Sequence, residues 1–345
     1  MKRYIKTILL IFCCSVNAMA QGGYQRANDT IPSATVPGMP LPKGMEFNYQ
    51  RLSGADLRSI PISGGFVGDE ATIDGVSSFQ FQLKIPIILK PKTTLLFGID
   101  YQERRYNFEQ PSQLESSLLK QIEKVTLKSR EMTFYYNTAL DKKHFLSARM
   151  DLALNGNLSN IDDNRFTSFI RYSVAAMYGW NPHKNLAHGV GLYLNYTLGR
   201  PSIYPVFLWN KKLNDKWGIE AKLPANFKFR RDFNDKSRLY MGYAIDGGSY
   251  VINGKFEPLS NFETAELRRS DIALEVNYER ELYDFVWLKA GVGYSYNINL
   301  RVSEENSFNN DSLVKNEVDP SLLFNFSLFV VPTEGLKKLL GFNNK

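Results

Sequence analysis

Residues 285–302 read FVWLKAGVGYSYNINLRV. Every even-numbered position from Val286 to Val302 is apolar or aromatic, whereas the odd set from Lys289 through Gly291, Gly293, Ser295, Asn297 and Asn299 to Arg301 is polar or small. Side chains alternate between faces along a strand, so this stretch has one apolar and one wet face. The same two-residue period runs through 78–89, 145–154, 270–279 and 321–330. In the first of these Phe79, Phe81, Leu83 and Ile85 oppose Gln80, Gln82 and Lys84. A period of two sustained over such lengths specifies strands and leaves little room for helices.

The connections carry a second regularity. Short polar turns stand at 90–94, 140–143, 181–185, 214–216, 234–236 and 283–285. They alternate with mostly longer links at 53–76, 108–123, 156–165, 253–266 and 303–318, and with two tighter corners at GRPS (199–202) and Pro224. Tight turns at one end and long loops at the other are the pattern of an up-and-down barrel. Counting strands from Met45 to Val331 predicts about fourteen (12–14), with the segments flanking Pro224 the least certain, as one bent strand or two. An even count places both chain ends on the short-turn side.

A secreted β-sandwich alternates too. Three features favour lipid on the apolar side. Several strands exceed the ~5–6 residues usual in globular sheets and match the ~9–11 of a tilted membrane strand. Trp180, Trp209, Trp217 and Trp287 stand near turns, as interfacial aromatics do. No helices are available to cover the apolar faces, whereas closure in a membrane satisfies all backbone pairing. The fold expected is an all-β, transmembrane antiparallel β-barrel with short periplasmic turns and longer outer loops.

The chain start fits that destination. Lys2, Arg3 and Lys6 precede an apolar core, and Ala18-Met19-Ala20 forms a small-x-small cleavage site, so residues 1–20 read as a signal peptide. Its removal takes away both cysteines and lowers the net charge from +7 to +4. The mature chain then holds no thiol chemistry, and its weak charge does not point to nucleic acid. Residues 21–44, with Pro32, Pro37, Pro40 and Pro42, read as a disordered lead-in. The barrel follows at 45–331. Residues 332–345 form a C-terminal periplasmic tail in which Leu336, Leu339 and Leu340 group at helical spacing.

The long alternating strands and the central segment YPVFLWNKKLNDKWGIEAKLPANFKFRRDFNDKSRLYMGYAIDGGSY (204–250) resemble a Bacteroidota-type outer-membrane β-barrel family catalogued as a domain of unknown function. The resemblance implies an outer-membrane barrel, with outer-membrane lipid and the barrel-assembly machinery as partners, and no established activity. The chain departs from the usual barrel ending, because Val331 is followed by PTEGLKKLLGFNNK rather than closing on an aromatic residue.

Chemistry is sparse. His144, His183 and His188 have no serine and acidic partners at a recognisable spacing, so no catalytic residue, metal ligand or cofactor is assigned. In the 267–282/285–302 hairpin, matching the two apolar faces across a three-residue turn pairs Glu279 with Lys289, which predicts an interior ion pair. Lys84, Arg149, Asp151, Arg171 and Glu275 are expected to line the lumen. Interior charges of both signs leave anion or cation selectivity open. Gly189/Gly191 and Gly291/Gly293 are expected to thin the inner wall. Residues 112–124 read as a short amphipathic helix that folds inward as a constriction or lies on the barrel rim, the rim being the plainer expectation. A fourteen-stranded barrel can hold a pore, so the function expected is a passive channel or transporter for small solutes. A non-conducting structural or surface-interaction barrel is the alternative, and an integral-membrane lipid hydrolase a distant third.

Overall fold

The computed structural model describes residues 31–40, 42–62, 65–158, 163–197, 199–254, 256, 264–304 and 312–332. Residues 1–20, read above as a signal peptide, residues 21–30 and the expected tail beyond Pro332 lie outside them. The strands are β1 (Met45–Leu52), β2 (Ala55–Pro61), β3 (Asp69–Leu89), β4 (Thr93–Phe108), β5 (Leu127–Ala139), β6 (His144–Gly156), β7 (Ile170–His183) and β8 (Leu186–Asn195). They continue with β9 (Ser202–Lys212), β10 (Trp217–Leu223), β11 (Asn226–Asn234), β12 (Ser237–Asn253), β13 (Thr264–Tyr283), β14 (Val286–Ser303), β15 (Val314–Val318) and β16 (Ser321–Val330). One α-helix, α1, spans Ser117–Lys124.

Sequential antiparallel pairing runs round the sheet, and β1 closes it by bonding both β3 and β16. β2 continues β1 against β3 without a change of register, and β15 continues β16 against β14 in the same way. Those four segments are therefore two interrupted staves, and the closed barrel has fourteen. The interruptions face one another at Ser53-Gly54 and Asp319-Pro320, where proline has no N–H to give the ladder. Pro224 divides two strands rather than bending one, because β10 and β11 pair antiparallel from Trp217↔Arg231 to Lys222↔Asn226.

The apolar face is turned outward. Phe47, Phe134, Met150, Val190, Leu192, Val276, Val292, Phe324 and Phe326 are exposed on the outer wall although each belongs to a regular strand. Soluble domains do not leave a continuous belt of that size in water, whereas a lipid-facing barrel wall requires one. Among the described residues no helix is long and apolar enough to span a bilayer.

The outward face does not persist to the long-loop end. In β14 the ladder to β13 slips between Ser270↔Asn299 and Asp271↔Asn297, leaving Ile298 as an extra residue. A bulge reverses which parity points inward. Ile298 is exposed, whereas Leu300 and Val302 are buried. The even-numbered face of 286–302 thus meets lipid only as far as Ile298. A matching slip in β3 between Ile73 and Gly75 turns Ile73 into the barrel.

Those inward-turned residues build an apolar core at the long-loop end. Leu57, Ile73, Tyr106, Phe108, Leu127, Tyr250, Ile252, Leu267, Leu300, Val302 and Val314 come from eight strands and converge on Leu118, Leu119 and Ile122 of α1. The helix expected on the rim is therefore inside the mouth. Its apolar side chains recur three to four residues apart and so share one face, and burying that face is what holds so short a helix. Its start is fixed by the Asp69 carboxylate, which accepts from the N–H groups of Glu115 and Ser116 at 2.8 and 2.9 Å. The stretches expected as the outer loops 53–76 and 303–318 are partly strand, with β2 and β15 paired from Val314↔Pro61 to Val318↔Leu57.

The tall β12–β13 hairpin bends across the same mouth. β11 stops pairing at Asn226↔Ala244, and the freed upper part of β12 meets the end of β6 in a parallel contact, Val251↔Gly156. Asn157 then donates its backbone N–H to Val251 at 3.0 Å and its side-chain amide to the Asn253 carbonyl at 2.8 Å. Two glycines permit the approach. A Cβ on Gly156 would collide with the Val251 carbonyl, and one on Gly247 with the carbonyl of Thr197.

Candidate functional site: the lumen

Below this lid the inner wall is polar because the wet parity of every strand points there. The residues expected to line the lumen all lie on inward faces, in different circumstances. Arg149 spans Asp151 at 2.7 Å and Glu131 at 3.1 Å, and Asp151 also accepts from Thr133 at 2.8 Å. Lys84 and Arg149 flank the ring of Tyr135, at 5.5 and 5.3 Å from its centre. Among the described residues Glu275 has no cation within ion-pair distance and is held by the amides of Asn277 and Asn325, at 2.9 and 3.0 Å. Arg171 is sealed under the lid, 3.4 Å from Glu266, with its guanidinium donating to Ser249 and to the Ser168 carbonyl.

Glu279 and Lys289 are cross-strand neighbours in the register derived from the apolar faces. They do not form the expected ion pair. Glu279 lies 3.5 Å from Lys43 and 3.8 Å from Arg238, while Lys289 lies 3.8 Å from Glu46. Arg238 is the neighbour of Glu279 on β12, whereas Lys43 and Glu46 come from the start of β1 and the chain just before it, which the pairing of β13 with β14 could not reveal. The inward glycines make room for neighbouring side chains: the position of a Gly189 side chain is taken by Met177, and that of Gly291 by Asn277 and Asn325.

Of the four tryptophans, Trp180 and Trp209 face outward near the short turns, and Trp217 stacks on Phe229 at 4.8 Å on that same outer face. Trp287 does not join them. Its odd number sets it on the inward face of β14, buried against Phe329 and Val331, with the Arg238 guanidinium 4.4 Å over its ring.

The lead-in expected to be disordered is in part docked inside the barrel. Ser33 donates its N–H to Asn181 at 2.9 Å, Asn210 donates to the Ala34 carbonyl at 2.7 Å, and Val36 is 2% exposed. Gly38 lies against Arg230, and Lys43 bonds Glu46 at 2.8 Å while sitting 4.0 Å over the Phe329 ring. Residues 33–40, 42 and 43 thus follow the inner wall past β7, β9, β11, β13 and β16 before the chain turns into β1. They form a strap within the short-turn end. Motif and periodicity give no signal for it, since an extended segment with four prolines reads the same docked or free.

Between strap and lid the lumen is open to solvent. Lys222 and Lys228 are exposed although they share the inward face with Glu220 and Arg230, and the Asp246 side chain is 54% exposed inside the barrel. A separate cavity of about 30 Å³ lies behind the interrupted staves, lined by Leu52, Ser53, Arg104, Asp271, Asn297 and Ser321. That is room for a water or two, too little for an organic solute.

The histidines stand apart from the lumen. His144 bonds Asp141 at 2.7 Å in the β5–β6 turn, where the backbone N–H of Lys143, then the His144 side chain and N–H, hold the Asp141 carboxyl down at about 2. His188 packs beside Trp180 at 5.6 Å on the outer wall. Among the described residues no group of His, Cys, Asp and Glu is placed to hold a metal ion.

No curated protein matches this chain. Among solved structures it is similar in strand arrangement to a FadL homologue from Pseudomonas aeruginosa. That match has 9% identity and a TM-score of 0.44, covering 84% of this chain and 91% of the other. An outer membrane channel from Pseudomonas putida F1 matches at 10% identity and a TM-score of 0.36, covering 87% and 99%. The P. putida toluene transporter TodX matches at 7% identity and 0.37, covering 84% and 90%. At such identities and scores the likenesses carry no argument about what this chain does. The family model described as a domain of unknown function, DUF6268, matches residues 77–328. That span takes in the barrel from β3 to β16, and the chain belongs to this family.

Proposed function

We propose that the protein is an outer-membrane channel or transporter for small solutes, held closed in the state seen here. The observation that carries this reading is the solvated, charge-lined space inside a barrel of fourteen staves. Barrels of about eight strands fill with side chains, and wider ones hold a cavity or channel. Here the inward Lys222, Lys228 and Asp246 remain exposed. A signal peptide over residues 1–20 and an orientation with the short turns in the periplasm belong to the same reading, with lipid around the belt and the barrel-assembly machinery acting in biogenesis. Catalysis is no part of it.

The test is single-channel recording of the refolded protein in a planar bilayer, beside solute flux into liposomes. Rare openings from a closed baseline, with solute entry above empty liposomes, are the expected result. A folded, inserted barrel that neither conducts nor passes solute overturns it. That outcome would favour the second reading, a non-conducting structural or surface-interaction barrel, for which the apolar core across the long-loop end is the specific support.

A further inference from the structure

The lumen does not balance its charges locally. The acids near its middle are each held by other groups, Glu275 by the amides of Asn277 and Asn325. Glu220 takes Arg230 at 3.0 Å, Asp151 and Glu131 take Arg149, and Glu46 takes Lys43 and Lys289. Asp100 takes no cation and is capped by the amides of Gln80 and Gln82. Three lysines are left over. Among the described residues Lys84, Lys222 and Lys228 have no acidic partner within ion-pair distance and no side-chain hydrogen bond. Lys84 and Lys228 only overhang the rings of Tyr135 and Tyr240, at 5.5 and 5.8 Å.

These lysines come from opposite parts of the wall, Lys84 from β3 and Lys222 and Lys228 from the β10–β11 hairpin. Lys84 and Arg149 meet at the ring of Tyr135, and Lys222 and Lys228 share the inward face of the β10–β11 hairpin, where Glu220 stands opposite Lys228 but bonds Arg230. Like charges gathered in an enclosed space repel, and the low-dielectric wall screens them less than bulk water does. Pairing each lysine with a nearby acid would remove that cost, as it does for Arg149 and Arg230. Rings of unpaired Lys and Arg inside a pore are how anions are selected. The tyrosine rings add flat walls beside the cations.

We infer that Lys84, Lys222 and Lys228, with Arg149 behind them, form a binding site in the lumen for a small organic anion bearing a carboxylate or phosphate group. The ammonium groups supply charge-assisted hydrogen bonds to its oxygens, and Tyr135 and Tyr240 border the site. The inference deepens the channel reading by assigning its solute class, yet binding can be read in detergent where conduction plays no part.

The experiment is isothermal titration of the purified, detergent-solubilised full chain with gluconate and, separately, inorganic phosphate at low chloride. It is run on the wild type, on Lys84→Gln/Lys222→Gln/Lys228→Gln, on the same three positions changed to Arg, and on Lys216→Gln in an exposed turn as control. Heat-modifiable gel mobility certifies that each variant is folded. The wild type, the Arg variant and the control are expected to bind at least one probe, and the Gln variant to bind it at least about tenfold more weakly. Binding of gluconate alone assigns a carboxylate, and of phosphate alone a phosphate. Absence of binding by the folded wild type, or equal binding by the folded Gln variant, overturns the site. Should the Gln variant not fold, loss of binding by a folded Lys222→Gln single variant decides in favour, and unchanged affinity decides against.

Discussion

The two ends of the barrel are closed by different kinds of structure. At the long-loop end, α1 and the bent β12–β13 hairpin join residues from eight strands in one apolar core, with Leu118, Leu119, Ile252 and Val302 at 0% exposure. At the short-turn end a single extended segment lies along the inner wall. It is held by two hydrogen bonds to Asn181 and Asn210, one buried valine and the Lys43 contacts. Opening the first end means undoing a packed core, whereas opening the second means releasing a strap whose bonds water can replace. The difference teaches where a gate belongs: regions that move are drawn from the parts of a fold with few buried apolar contacts.

The largest effect should come from removing the strap. Deleting residues 31–40 is expected to turn rare openings into long-lived open steps in planar bilayers, with the barrel still folded by gel mobility. A folded deletion variant as silent as the wild type would show that the lid is the barrier and would reverse the comparison. Next in size is the lid core. Leu118→Ala and Leu119→Ala should each cost about 2–5 kcal/mol of local stability, read as faster amide exchange in 108–127 and upper β12–β13 with the lower staves unchanged. Exchange rising uniformly round the barrel would mean that lid and wall are one cooperative unit.

Gly156→Ala probes the seat of the hairpin. Its Cβ would meet the Val251 carbonyl and the Phe169 ring, 2.7 Å away, so a loss of about 1–3 kcal/mol from overpacking is expected. Exchange at the Asn157 amide, which bonds Val251, checks it directly. The smallest effect is expected from Asn181→Ala, which removes the bond to Ser33. About 1 kcal/mol should speed exchange at the Ser33 amide roughly fivefold and raise the opening frequency slightly. No change in either would mean that the strap is held by Asn210, Val36 and Lys43 without Asn181.

The alternating strands, their even number and the side that meets lipid were legible because strand parity is a local property. Eight or more residues of strict alternation define a face whatever the strand packs on, and turn length separates the two ends. Register was legible as well: pairing Glu279 with Lys289 follows from matching apolar faces in one hairpin. What the pair bonds was not, because Lys43, Arg238 and Glu46 reach it from segments far away in sequence or on other staves. Trp287 shows a lesser failure. Its parity already placed it inside, and proximity to a turn was the weaker guide.

The sequence by itself determined a closed, lipid-facing barrel, since a two-residue period with no covering helices has few other solutions. Only the tertiary structure decided what fills the barrel. The bulge at Ile298 reverses parity without leaving a mark in the apolar pattern, so Leu300 and Val302 read as lipid-facing yet stand in the lid core. The strap, the inward helix and the unpaired lysines share that character. Each depends on which distant groups meet in the lumen, and such meetings are fixed by barrel closure rather than by any local run of residues.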